Sequence, residues 1–213
     1  MKQWTAAGLI VAVMLVVLVP AGCTTQTKLA PMLTNTGVEL RMGMRDLWVA
    51  HTVWTRMFII SAVAGTPDEA QAADQLMKNQ DNIGNAIKPY YGDKAGAELT
   101  RLLRNHIAFA GAVVVAAKAG DKARLGPAQA QWTANADSIA TFLVGANPNW
   151  TRQDMTDMLH EHLRLTTEEA AARIKKDYMA DVAAYDQVHK EAMMMADVLS
   201  SGIIRQFPDK FTE

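Results

Sequence analysis

Residues 40–87 read LRMGMRDLWVAHTVWTRMFIISAVAGTPDEAQAADQLMKNQDNIGNAI, and the spacing of the apolar side chains in this stretch decides the fold. Leu40, Met44, Leu47, His51, Trp54, Phe58 and Ala62 recur every three or four residues, the period of a helix with one buried face. Gly65 and Thr66 interrupt that helix. Thr66-Pro67-Asp68-Glu69 then supplies a cap, a proline at the first helical position and acids in the first turn of a second helix. Its stripe is Leu76, Asn79, Ile83 and Ile87. If the two helices run antiparallel, His51 and Asn79, fourteen residues either side of Gly65, lie level, about 21 Å from the turn at the helical rise. The spacing predicts a helical hairpin with a His/Asn pair inside its apolar seam.

The pattern returns further along. Lys88-Pro89-Tyr90-Tyr91-Gly92 stops the second helix, and a third is expected from about Asp93 to Ala119, with Leu99, Leu102, His106, Ala110 and Val113 on its inner face. A fourth, after Gly126-Pro127, carries Trp132, Asn135, Ile139 and Leu143 and stops at Asn147-Pro148. His106 precedes Gly120 by fourteen residues, as His51 precedes Gly65, and Asn135 follows it by fifteen. Asn79-x-Asp81-x-Ile83 is echoed by Asn135-x-Asp137-x-Ile139. Leu99-Thr100 with Leu103 and His106 is echoed by Met155-Thr156 with Leu159 and His162, again at an offset of 56.

A third copy therefore begins near Thr151. Thr166-Thr167-Glu168-Glu169 reads as a capping box that ends its first helix by Leu165. From there one helix of nearly forty residues is expected to reach about Arg205, stopped by Phe207-Pro208. No stretch alternates with a period of two. The expected fold is all-α, an up-and-down bundle of four to five long helices built from repeated helical hairpins, with one short helix; a pseudo-threefold ring of three hairpins is the alternative.

The 213 residues are 50% hydrophobic and 20% charged, with a net charge of -1, which suits one globular domain and gives no basic block to attract nucleic acid. Residues 1–23 read as a signal peptide: Lys2, an apolar run from about Ala6 to Val19, then Ala21-Gly22 before Cys23, the only cysteine. A lone Cys after such a run resembles the lipobox of bacterial lipoproteins, although Pro20 stands where a lipobox usually has Leu. That resemblance implies lipidation at Cys23, export, and attachment to a membrane of the cell envelope. Residues 24–36 read as a polar tether and 37–213 as the bundle domain.

His51, His106 and His162 occupy equivalent stripe positions. Neutral imidazole ligates Zn, Cu, Fe and Ni, so rings brought to one axis would make a site for a transition-metal ion or small ligand. Alternatively each ring is a buried polar group satisfied within its own hairpin, His51 by Asn79 and His106 by Asn135, and fixes helix register. Asp186 and His189, three residues apart on one helix face, are further candidate metal ligands. Asn79, Asn135, Trp54 and Tyr185 are candidates to support the ligands. A helical di-iron site would need a second Glu-x-x-His pair, which the stripes lack. His160 and His162 point to opposite sides of a helix, and Met193-Met194-Met195 points in three directions, so neither set is a chelate. Arg56 and Arg205 are candidate anion binders. No phosphate loop, nucleophile elbow or usable Cys is present, and the sequence leans away from an enzyme.

Several motifs together resemble a family of uncharacterised, often exported bacterial and archaeal helical-bundle proteins. They are His51-x-x-Trp54-Thr55-Arg56, Asn85-x-x-Lys88-Pro89-Tyr90-Tyr91-Gly92, Asn135-Ala136-Asp137-x-Ile139, Asn147-Pro148-x-Trp150, Glu161-His162-Leu163, and Gly202-Ile203-x-x-Gln206-Phe207-Pro208-x-Lys210-Phe211. Such sequences are sometimes labelled acetylglutamate kinase or glycosyltransferase, names that imply α/β nucleotide-binding folds, and no residue here supports either. The resemblance implies a single-domain helical bundle. The metal or ligand expectation comes from the repeated histidines alone.

Overall fold

The computed structural model describes residues 34–212; the expected signal peptide, Cys23 and nearly all of the tether lie outside the described residues. The chain is all-α, with helices α1 (Asn35–Ala64), α2 (Glu69–Ala119), α3 (Lys122–Ala146), α4 (Arg152–Ile174) and α5 (Tyr178–Gln206). A short 3-10 turn, Pro208–Phe211, follows. There is no strand among the described residues. Thr34 caps α1 by accepting the Gly37 N–H, so the helix starts inside the stretch expected to be tether.

Helix α2 is two arms that meet at Gly92, whose φ of 83° and ψ of 169° break the helical path at the point where Pro89 has already weakened it. The arms fold back on each other. Arg104 reaches Asp81 across 23 residues, and Gly84 lies against Gly96 so closely that a Cβ on Gly84 would stand 2.7 Å from the Gly96 carbonyl oxygen. The fold is therefore three hairpins: α1 with the first arm of α2, the second arm with α3, and α4 with α5. Helix α5 packs on α1 and closes the ring.

All three hairpin turns have the same backbone. Gly65, Gly120 and Lys176 are left-handed, with φ of 69°, 66° and 61°. The next residue in each case, Thr66, Asp121 or Asp177, donates its N–H to a carbonyl five residues back, on Ser61, Ala116 or Ala172. Two sequence expectations are corrected here. Thr166 and Glu169 do not form a capping box but lie inside α4, both buried. The forty-residue helix does not exist either, because α4 runs on to Ile174 and the chain turns at Lys175–Asp177. A lysine stands where the other copies use glycine, so the composition signal for the turn is missing. Helix α3 likewise starts at Lys122, capped by Asp121, ahead of the expected Gly126-Pro127.

At the end of the ring away from these turns, the three hairpins are tied by one hydroxyl. Tyr91 donates to Gln206 Oε1 and accepts from the buried Asn147 Nδ2, both at 2.9 Å. Tyr90 stacks on Phe207 and Phe211 beside it. Trp150 lies on the bare backbone of Gly202, where any Cβ would collide with the indole. The main core fills this base half of the ring and runs on past the histidines to Val113, Ala128 and Trp132, with a smaller cluster of Ile59, Ala62, Val114 and Ala170 in the turn half. Helices α1 and α2 are long and apolar enough to span a bilayer, and each buries an apolar stripe in this core.

A left-handed lysine is strained by about 1–2 kcal/mol, of which glycine recovers part after its own entropic cost. Lys176→Gly should therefore stabilise the protein by about 0.5–1 kcal/mol and raise Tm by roughly 2 °C. Calorimetry that finds Lys176→Gly less stable than the parent would contradict the turn assignment.

Candidate functional site

The three repeated histidines meet. His51, His106 and His162 are each 4% exposed, and the His162 ring centroid is 5.6 Å from that of His51 and 6.3 Å from that of His106. Each ring is held from the returning helix of its own hairpin by a residue 29 positions later. His51 Nδ1 meets Gln80 Nε2 at 3.2 Å, His106 Nδ1 meets Asn135 Oδ1 at 2.8 Å, and His162 Nδ1 meets Glu191 Oε2 at 2.9 Å.

Those partners fix the tautomers. Gln80 Nε2 also faces the Leu76 carbonyl and Asn79 Oδ1, so its two hydrogens are shared among three acceptors; with the amide nitrogen against the ring, Nδ1 of His51 accepts, and Nε2 carries the proton. His106 donates from Nδ1 to Asn135 and accepts the Trp132 indole N–H at Nε2, at 3.0 Å. His162 donates from Nδ1 to the Glu191 carboxylate. Burial, aggravated by the neighbouring rings, holds His51 well below the usual histidine pKa, and burial with His162 beside it takes His106 down to about 3.

The expected partner of His51 was Asn79. Asn79 lies close enough to His51 to favour its charged form, and it donates its own amide N–H to the Leu47 carbonyl, one turn before His51; Asn135 makes the equivalent bond to the Leu102 carbonyl. Asn135 thus does with one amide what Asn79 and Gln80 share in the first hairpin. Glu191 was missed, although adding the repeat offset of 56 to Asn135 leads to it. The inward tryptophan on α1 is Trp48, edge-on to His51 at 5.4 Å, while Trp54 is half-buried.

Asp186 and His189 do not join the layer. Asp186 is exposed, and half-buried His189 meets Thr52 through Nδ1 at 3.3 Å, with Tyr185 6.1 Å away. No group of three or more His, Cys, Asp or Glu side chains among the described residues is placed to hold a metal ion. The buried acid of α5 in this region is Asp181, which takes both Arg56 and Arg173; Arg56 also bonds Glu169 at 2.8 Å and lies over the Tyr185 ring. Arg56 is thereby committed and is not a free anion binder. Burial pushes Glu169 up to about 7 against the pull of Arg56.

One turn beyond the histidines, towards the hairpin turns, the ring encloses a cavity of about 260 Å³. The residues four after each histidine, Thr55, Ala110 and Thr166, line it, as do Trp132, Ile59 and Ala170. Thr55 Oγ1 and Thr166 Oγ1 are buried and without hydrogen-bond partners. A surface groove between α3 and α4 shares Gln129, Trp132 and Thr167 with the cavity as lining. No protein-family profile, curated protein or solved structure matches the chain.

The pKa shifts set an acid response. The lowered histidines contribute stability that is complete above the unfolded histidine pKa near 6.5 and is lost as the pH falls towards the folded values. Glu169, raised, contributes stability that is complete below its unfolded value of 4.5 and is lost as the pH rises through about 7. Each group shifts stability by at most about 1.4 kcal/mol per pH unit, so between pH 6.5 and 4.5 two histidines outweigh one glutamate. Denaturant titrations should show stability falling on acidification across that window, more steeply in Glu169→Gln and less steeply in His106→Gln. Equal slopes in all three proteins would refute the lowered His106 and the raised Glu169. Arg56→Ala, which strands the buried Glu169 carboxylate and leaves Asp181 with Arg173 alone, should cost about 3–5 kcal/mol in the same assay at pH 7.

Proposed function

We propose that the protein is an exported, lipid-anchored helical bundle that binds a small, largely apolar molecule against its histidine layer. The observation that carries this reading is the cavity with two unpaired hydroxyls, Thr55 Oγ1 and Thr166 Oγ1, in a mostly apolar wall that also includes Gln129 and Thr167. A buried polar group without a partner costs about 1–3 kcal/mol, and a ligand bearing a carbonyl or hydroxyl would satisfy both. A volume of about 260 Å³ exceeds the roughly 150 Å³ that admits benzene, so a substituted ring or a short branched chain fits. Of the two occupants that the sequence allows, the geometry favours the molecule over a metal ion, because no three His, Cys, Asp or Glu side chains among the described residues are placed as a ligand set. Export and anchoring rest on Cys23 after the apolar run.

The second reading, a structural or partner-binding module, is favoured by the dedicated partner that each histidine has at the same spacing of 29. Thermal melts of the purified protein with acetophenone and with ethylbenzene separate the two. Acetophenone should raise Tm saturably and by more than ethylbenzene. Ala170→Leu, which fills the cavity, should remove both shifts, and Thr55→Val/Thr166→Val should remove the advantage of the carbonyl. A protein that neither probe stabilises, or that Ala170→Leu leaves equally responsive, would assign the layer to helix register alone. Elemental analysis of the same preparation should find no stoichiometric transition metal. For the anchor, labelled palmitate should enter the wild type and not Cys23→Ala; label retained in the variant would end the lipoprotein reading.

A further inference from the structure

We infer that the outer groove between α4 and α5 is a second binding site, for an organic cation with an apolar body, and that Glu191 is its anchor. The inference does not depend on the cavity. Asp154, Asp157 and Glu161 stand at i, i+3 and i+7 on one face of α4, and Glu191 faces them from α5. No Lys, Arg or His lines this groove, which has a volume of about 410 Å³. Apart from Asn149 the rest of its wall is apolar or aromatic, with Met158, Met194 and Val198 prominent, and Met194 is 61% exposed.

An acidic rim alone would be an ordinary solvated helix face, and three of its members have local partners. Thr151 donates to Asp154, Gln153 to Asp157, and Arg164 to Glu161. Glu191 differs from them. It is only 4% exposed, its Oε2 is held by His162, and its Oε1 is buried with no hydrogen-bond partner. A carboxylate oxygen so placed loses hydration and gains nothing from the protein in return. A cation in the groove would supply what is missing.

The chemistry of the walls selects the kind of cation. The acids are not placed to chelate a bare metal ion. Thioethers and branched apolar carbons solvate the body of an alkylammonium, while the rim carboxylates and Glu191 compensate its charge. Because His162 holds Glu191 from behind, the carboxylate is preorganised before the ligand arrives.

Isothermal titration calorimetry of the full chain with benzyltrimethylammonium tests this, with benzyl alcohol as the uncharged control. Saturable binding of the cation at millimolar concentration or below is expected, with none of the alcohol. Glu191→Gln should weaken it by about tenfold or more, the equivalent of about 1.4 kcal/mol. Met194→Lys changes an exposed wall residue without touching the core. It should abolish binding while leaving the melting temperature unchanged, which keeps the test decisive if Glu191→Gln unfolds. Absence of saturable binding, equal affinity in Met194→Lys, or competition by calcium chloride at matched ionic strength would each overturn the proposal; the last would reduce the groove to a patch of negative potential.

Discussion

Three hydrogen bonds, between His51 and Gln80, His106 and Asn135, and His162 and Glu191, are the constraint on which the arrangement depends. A buried imidazole without a partner costs free energy on the scale of a lost hydrogen bond, so each hairpin must place its returning helix with that residue level with the ring. Sliding one helix by a residue turns its side chains by about 100° and breaks the bond. Register within each hairpin is thus set by chemistry rather than by apolar packing, which tolerates sliding far better. Once the hairpins are in register, equal spacing from the left-handed turn residue brings the three rings to one level of the bundle.

The third hairpin departs from the symmetry, and the departures share a logic. Its ring partner is an acid instead of an amide. Glu169 stands where the earlier copies have Phe58 and Val113, and Asp181 stands where they have Ala70 and Leu125. Arg56, on the first hairpin, answers both acids. These charges sit at the junction where α4 and α5 meet α1, the contact that closes the ring, and Arg45 with Asp197 extends the tie along it. A buried ion pair adds little net stability, but it punishes the wrong neighbour heavily, because an unmet buried charge is so costly. Closure between the correct hairpins is thereby specified. The junction of α3 with α4 has no such tie, only exposed contacts between His160 and Asp137 and between Arg152 and Thr141, and there lies the surface groove that shares lining residues with the cavity.

Most of this architecture was legible because helical period, glycine turns and a repeat offset are properties of the chain alone. The first two hairpins and the three equivalent histidines could be read from spacing. The third hairpin was not legible at its turn because Lys176 adopts a conformation that sequence rules reserve for glycine. Thr166 and Glu169 mimic a capping box, and only their burial against α1 and α5 reveals other roles. Asn79 misled for a subtler reason. It matches Asn135 in offset and in one of two bonds, the one to a backbone carbonyl, while the bond to the ring passes to Gln80. The cavity was illegible altogether, since an unfilled volume is a property of three converging helices and no single stripe records it.

The two halves of the ring interior differ in a way that bears on that volume. On the base side of the histidines, Trp48, Ile83, Leu99, Leu143, Trp150 and Leu159 converge and leave about 30 Å³. On the turn side, the positions one turn from the histidines are Thr55, Ala110 and Thr166, all small, and about 260 Å³ remains open. At about 24 cal/mol per Å³ the larger void corresponds to roughly 6 kcal/mol, a large share of the 5–15 kcal/mol by which domains are typically stable. One leucine in place of Ala110 or Ala170 would recover part of it, and the base side demonstrates that this backbone accommodates large side chains on its axis. A void of that size beside two unpaired hydroxyls is physically coherent when an occupant completes the packing and the hydrogen bonds together.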